Sequence, residues 1–360
     1  MNAEGALSVR LATAGGRVAS VEVTSTRPRT PRSLFSGKRA VDVARLVPLL
    51  FPICGMAHSV AFARACESAF GIPTRAPMQA ARDLLCQAEA VASHVWQLAI
   101  PWQEAAAMPP DLVSVRAARE ALVGLSAVLF GSANTVSTLR PEPSLVDAGA
   151  IVETLASLLE RLLRAECPLM AEVTRQGRSS FGSVATRTIA ELDVAAVGRL
   201  LSRDPLFANH ADVEGEPVDV SAYARTARCE EVVAVEARYG RGLLARLVAR
   251  RADARAAAAR LRLSLADLES AGRSASSPER SGVGEAHTAR GPLVYWVQGS
   301  AESIDDVRMV SPTDWTFHPR GVLPGALRGA PATTTLERDA GWLVLALDPC
   351  VPCKVEVRDA

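Results

Sequence analysis

From Ala40 to Leu268 apolar residues recur at three- and four-residue spacing in one run after another, which commits most of the chain to α-helix. Val41, Ala44, Leu46, Val47 and Leu50 open the series, with a break expected at Pro48 and Pro52. Further helices are expected over His58–Phe70, closed by Gly71 and Pro73, and over Pro77–Ile100, Ser114–Leu129 and Ser144–Ala165. Val184–Leu201 and the long Glu230–Leu268 read as helices too. The arginines of the latter read as a solvated face rather than a nucleic-acid surface.

The two ends read differently. Leu7, Val9 and Leu11 alternate, Gly15-Gly16 makes a turn, and Val18, Val21 and Val23 follow, which is a hairpin pattern. Thr24–Arg39 is a polar, basic loop and Ala271–Thr288 a Ser- and Gly-rich one. Leu293–Val297, Asp306–Val310 and Trp342–Leu347 read as short strands. The expected class is therefore α+β and predominantly helical. A hairpin and loop span 1–39, a helical body 40–270, a loop 271–289 and a β-rich closing segment 290–360.

Composition narrows the function classes. Hydrophobic residues at 49% and charged residues at 22% exclude bulk disorder. Lys plus Arg is 40 against 39 Asp plus Glu, so nothing in the charge asks for nucleic acid or an anionic membrane. The longest apolar run, Leu46–Ile53, is cut by two prolines and falls short of the roughly 20 residues of a membrane span. With no basic, apolar leader at the start, the expectation is a cytoplasmic protein with reduced thiols.

Seven cysteines are present. Cys350 and Cys353 form C-x-x-C, a spacing at which two thiolates can reach one metal. A structural zinc would need a second pair, and a redox site would open a helix, so a pair of inert thiols also fits the spacing. Cys54 lies in an apolar, helix-breaking segment where Gly55 permits close backbone approach, with His58 four residues on. Cys66, Cys86, Cys167 and Cys229 stand singly and read as small core residues.

Taken in order, these segments resemble the large subunit of nickel–iron hydrogenases. Glu4-Gly5 with the hairpin resembles its opening motif, and Gly37, Asp42, Cys54 and His58 resemble the N-terminal cysteine motif. Phe70-Gly71-Ile72-Pro73, the helix through His94, and Gly215-Glu216-Pro217 with Ala224-Arg225 continue the match. Ala289-Arg290-Gly291 with Tyr295-Trp296, then Val310–Trp315 with Pro319-Arg320, and Asp348-Pro349-Cys350 to Cys353 complete it. Such a subunit carries two C-x-x-C pairs, whereas here the N-terminal pair is reduced to Cys54. The Ile53-Cys54-Gly55 triplet looks like the first cysteine of that pair. An ungapped count places Cys54 at the second, with Phe51 at the first, and is preferred because it needs no compensating indels.

The C-terminal pair also lacks the histidine that follows it in the enzyme; Glu356 stands there and is placed near the site. With seven residues after Cys353 in the sequence, the expectation is a chain without the removable extension of the enzyme. These losses resemble assembly proteins of the HupK/HoxV type. That resemblance implies a non-catalytic scaffold for an iron fragment carrying two cyanides and one carbon monoxide, with no nickel. It implies Cys54, Cys350 and Cys353 as the metal ligands, Cys54 and Cys353 at the iron-bridging positions, and Arg290 donating to cyanide. His58 would order the Cys54 loop, Glu4 would lie near the metal, and His318 and Arg320 would be structural. The implied partners are a small chaperone delivering the fragment and an immature hydrogenase large subunit. A divergent catalytic subunit and a metal-free docking protein are the alternative readings.

Overall fold

A computed structural model describes residues 5–27, 32–131, 136, 143–272, 275–276 and 279–359. Glu4 lies outside the described residues. The hairpin forms as expected, from strands β1 (Leu7–Ala14) and β2 (Arg17–Ser25). The helical body contains α1 (Ala40–Leu50), α2 (Gly55–Phe70), α3 (Ala76–Ala99), α4 (Leu112–Phe130), α5 (Leu145–Arg164), α6 (Pro168–Arg175) and α7 (Val194–Arg203). It continues through α8 (Ala222–Thr226), α9 (Glu230–Tyr239) and α10 (Leu243–Ser270). The closing part alternates strands β3 (Val283–Thr288), β4 (Gly291–Gly299) and β5 (Ile304–Val310) with helices α11 (Pro312–Thr316), α12 (Val322–Leu327) and α13 (Leu336–Leu347). Strand β6 (Cys353–Asp359) ends it.

Several boundaries differ from the sequence expectation, each for a local reason. Pro48 stays inside α1, where it removes the bond to the Ala44 carbonyl, and the helix ends two residues later at Leu50. The helix expected over Val184–Leu201 begins only at Val194, where Asp193 caps it by accepting from the Ala196 N–H at 2.9 Å. The Glu230–Leu268 helix is cut in two at Gly240-Arg241-Gly242, with Gly240 at φ +71°. Val283–Thr288 is strand rather than loop. There Gly284 lets β3 lie directly on α2, since a Cβ would come within 2.2 Å of the Ala65 nitrogen. Trp342–Leu347 is not a strand but the end of α13; an apolar run that short carries no period of its own.

Two small sheets frame the helices. β3, β4 and β5 form one, antiparallel throughout, with β4 in the middle. In the other, β1 pairs with β2 and also, in parallel, with β6, placing Leu7 opposite Cys353. The first and last described strands of the chain are thereby neighbours, and the C-x-x-C is tied to the hairpin. α10 packs against α3 and α5, and its alanines let these helices come close. The solvated-face reading of its arginines holds for Arg255 but fails for Arg246 and Arg250, which are 1% and 2% exposed. Arg246 binds Asp219 at 2.8 Å and Arg250 pairs with Asp348, so each buried cation meets a buried carboxylate. Of the four cysteines expected in the core, Cys66 and Cys86 are buried, Cys167 is half-buried and Cys229 is exposed.

Candidate metal centre

Cys54 sits between α1 and α2. Its N–H donates to the Phe51 carbonyl at 3.2 Å, and its own carbonyl accepts the first helical bond of α2, from His58 N–H at 3.0 Å. What Gly55 approaches is the Pro48 backbone, whose carbonyl oxygen would lie 3.2 Å from a Cβ at that position. The free N–H groups at the start of α2 are met by the Glu89 side chain from α3. Its carboxylate accepts from Met56 N–H at 2.8 Å and Ala57 N–H at 2.9 Å. Burial raises the Glu89 carboxyl to about 7, while those two N–H groups and Arg290 pull it back. A buried acid thus stands behind the Cys54 loop.

Cys350 follows the turn that ends α13. Asp348 there has φ +54° and its N–H donates to the Val344 carbonyl at 2.9 Å. Its carboxylate lies between two guanidinium groups, accepting from Arg290 at 3.1 Å on one oxygen and pairing with Arg250 on the other. Arg290 also donates to the Asp348 carbonyl at 3.1 Å and to the Ser93 hydroxyl at 3.2 Å. At 4% exposed it is no surface residue, and these donors are committed to holding the turn that presents Cys350. The Thr313 hydroxyl, at the start of α11, accepts from the Cys350 N–H at 3.3 Å and donates to its sulfur at 3.2 Å.

Cys54 and Cys350 line one small pocket with Arg27, Leu50, Phe51, Pro52, Ile53 and Val351. The two thiols are close enough to act on each other's proton. Donation from Cys54 brings the Cys350 thiol down to about 5, helped by the positive charge of Arg27 and Arg290 and by the Thr313 hydroxyl. The Cys54 thiol is correspondingly pushed well up, by that hydrogen bond and by burial. The pair therefore gives up a proton more readily at Cys350 than at Cys54. Cys353, at the start of β6, is half-buried, and burial alone pushes its thiol up to about 12. Among the described residues no three His, Cys, Asp or Glu side chains converge as a metal-holding group.

The other expected residues fall as follows. The His58 ring stacks on Phe51 with centroids 3.9 Å apart, and its Nδ1 lies 2.7 Å from the Tyr295 hydroxyl. Burial and then Arg27 hold its pKa well below the ordinary range, so it is a neutral ring backing Phe51, which lines the pocket. Glu356 does not line this pocket; it pairs with Lys354 at 2.6 Å and Arg358 at 2.9 Å on β6. His318 accepts from the Arg320 N–H at 3.0 Å, a local turn contact. Sequence reasoning missed Arg27, Glu89, Arg250 and Thr313. Arg27 stands in a run of basic loop residues that gives no sign of burial, yet it is 6% exposed. Glu89 breaks an otherwise apolar helix face, a signal that was available.

Replacing Glu89 by Gln should flatten the pH dependence of stability. Because folding raises this carboxyl from 4.5 to about 7, its protonated form favours the folded state. That contribution is complete below about 4.5 and is lost as the pH rises through about 7. Urea unfolding at pH 5 and pH 8 should show a smaller difference for Glu89→Gln than for the wild type. An unchanged difference would remove Glu89 from the account.

No family model matches the chain. It is 30% identical over 366 residues to the hydrogenase expression/formation protein HupK of Bradyrhizobium diazoefficiens, covering 96% of this chain and 95% of that protein. It is 28% identical to HupV of Azotobacter chroococcum, over 99% of both, and 25% identical to HoxV of Cupriavidus necator, over 99% of this chain and 97% of that one. Among solved structures it resembles the Ni-Fe-Se hydrogenases of Desulfovibrio vulgaris Hildenborough and Desulfomicrobium baculatum, each with a TM-score of 0.67 over 94% of both chains. Identities there are 16% and 14%, so that likeness speaks for the hydrogenase large-subunit fold alone. No helix among the described residues is long and apolar enough to cross a membrane. With the full-length relative at 30% identity and a hydrogenase-like fold, the chain belongs to the HupK/HupV/HoxV family of hydrogenase expression/formation proteins.

Proposed function

We propose that this chain is a non-catalytic scaffold in hydrogenase maturation, carrying an iron fragment with two cyanides and one carbon monoxide before it is passed to an immature large subunit. The supporting observation is that Cys54 and Cys350 line one pocket with the Arg27 guanidinium, to which Arg290 adds its positive charge. Thiolates suit a low-spin iron as soft donors, and the fixed positive charge suits the anionic ligands that such a fragment carries. Cys353 is the third sulfur of the proposal. Iron binding releases the Cys54 proton, completing two thiolates opposite Arg27 and Arg290.

The same pocket favours a carrier over a catalyst. Where a fourth sulfur would complete a nickel site, the proposal has Phe51, whose ring lies flat on His58 and cannot ligate. The pocket leaves only about 10 Å³ open to the centre of a water molecule, room for about one water. Loading therefore displaces the Leu50–Ile53 segment or Val351, as suits a cargo taken up and given away. The delivering partner is a small assembly chaperone, and the protein works in the cytoplasm, where its thiols stay reduced.

A host lacking this chain should accumulate unprocessed large subunit and lose hydrogenase activity, and the wild-type chain should restore both. The double variant Cys54→Ser, Cys350→Ser should restore less than about a tenth of the activity, since losing only a ligand's supporting partner already costs about 10–100-fold. Full restoration by the double variant would make the chain a metal-free docking protein instead.

A further inference from the structure

The guanidinium that lines the thiol pocket is that of Arg27. Arg290, whose three nitrogens are held by Asp348 and Ser93, acts on the sulfurs through its charge and through the turn it braces. Arg27 reaches the pocket from the end of β2 and is 6% exposed. One of its nitrogens donates to the Ser311 hydroxyl at 2.9 Å and to the Asp314 carboxylate at 3.1 Å. Ser311 and Asp314 are themselves locked as the capping box of α11. Thr313, between them in the chain, holds Cys350. Arg27 is therefore fixed to the same short helix that fixes the thiolate, so guanidinium and sulfur keep their spacing whatever the Leu50–Ile53 segment does.

Resting on the scaffold reading above, we infer that Arg27 is the specificity residue of the site: it takes the anionic ligand of a metal bound at Cys54 and Cys350, and so distinguishes a cyanide-bearing metal from a bare divalent ion. A planar fork of N–H donors suits such an acceptor, and burial strengthens the contact. A bare ion needs only the two sulfurs and gains nothing from a nearby cation. Removing the guanidinium should thus cost ligand-bearing metal while sparing the bare one. A merely bracing Arg27 would, on removal, disturb both alike.

The test uses the purified full-length chain, loaded anaerobically with cobalt(II). Thiolate-to-cobalt absorption reports metal at the sulfurs. Cyanide is then added up to two equivalents, and the C≡N stretch in the infrared reports ligand retained on the bound metal. For Arg27→Met, cobalt affinity should change less than about threefold while retained cyanide falls about tenfold, the scale of a buried charge-assisted contact. Arg27→Lys should fall between. Retained cyanide within twofold of wild type overturns the inference, and so does an equal loss of cobalt and cyanide. Wild-type protein that binds no cobalt at Cys54 and Cys350 overturns the scaffold reading itself, and the inference with it.

Discussion

Replacing Asp348 by Asn should destabilise the protein by about 3–5 kcal/mol, the cost of stripping a buried ion pair of one partner. Asn keeps the side-chain shape and tolerates the left-handed backbone at φ +54°, so the change isolates the charge. What it leaves behind is Arg250 and Arg290, 2% and 4% exposed, facing an amide that can compensate neither. The loss should be reduced when Arg250 is replaced by Met in the same chain, with a coupling of about 1–3 kcal/mol between the two sites. Denaturant unfolding of the two single variants and the double variant measures it. Additive effects would mean that Arg250 and Asp348 do not depend on each other. The effect should reach the thiols as well, because Asp348 is two residues from Cys350 and its carbonyl is held by Arg290.

This network shows where sequence reading stopped. The A-R-G and D-P-C segments were legible as motifs, since they are contiguous and their residue types are chemically marked. That Asp348 joins Arg290 to an arginine on α10 was not, because the partner lies 98 residues away in the chain. Ala-rich, Arg-rich helices normally show their arginines to water; here Asp219 and Tyr223 cover Arg246, and Asp348 and the Ala289 carbonyl meet Arg250. The hairpin and the long helices were legible because period and caps agreed locally. The last strand was overlooked although Val355 and Val357 alternate with charged residues, a period-two signal beside the more conspicuous cysteines. Cys54 and Cys350 were named from the sequence, but their sharing one pocket, and the placing of Arg27 between them and α11, belong to tertiary structure alone.

The second large effect concerns the cargo. Cys350→Ser should lower the iron recovered with the protein about 100-fold, beyond the 10–100-fold typical when only a ligand's supporting partner is lost. Serine keeps the size of the side chain, and its oxygen can still meet the Thr313 hydroxyl, so the fold should survive. A hydroxyl, however, does not ionise near neutral pH and is a hard donor for a soft metal. Arg27 and Arg290 would then face a neutral group. Cys66→Ser serves as the control, a buried cysteine outside the pocket, and should leave the iron content unchanged. Iron content measured on the three purified proteins, normalised to the wild type, gives the comparison. Equal iron in Cys350→Ser and wild type would remove this sulfur from the site.

Infrared spectroscopy with metal analysis, on the wild-type chain purified anaerobically from a host with its assembly machinery intact, tests the scaffold reading most directly. The account predicts cyanide and carbon monoxide stretching bands together with iron and without nickel, absent from the Cys54→Ser, Cys350→Ser protein. Stoichiometric nickel with hydrogen turnover, or a wild-type protein with neither iron nor these bands, would contradict it.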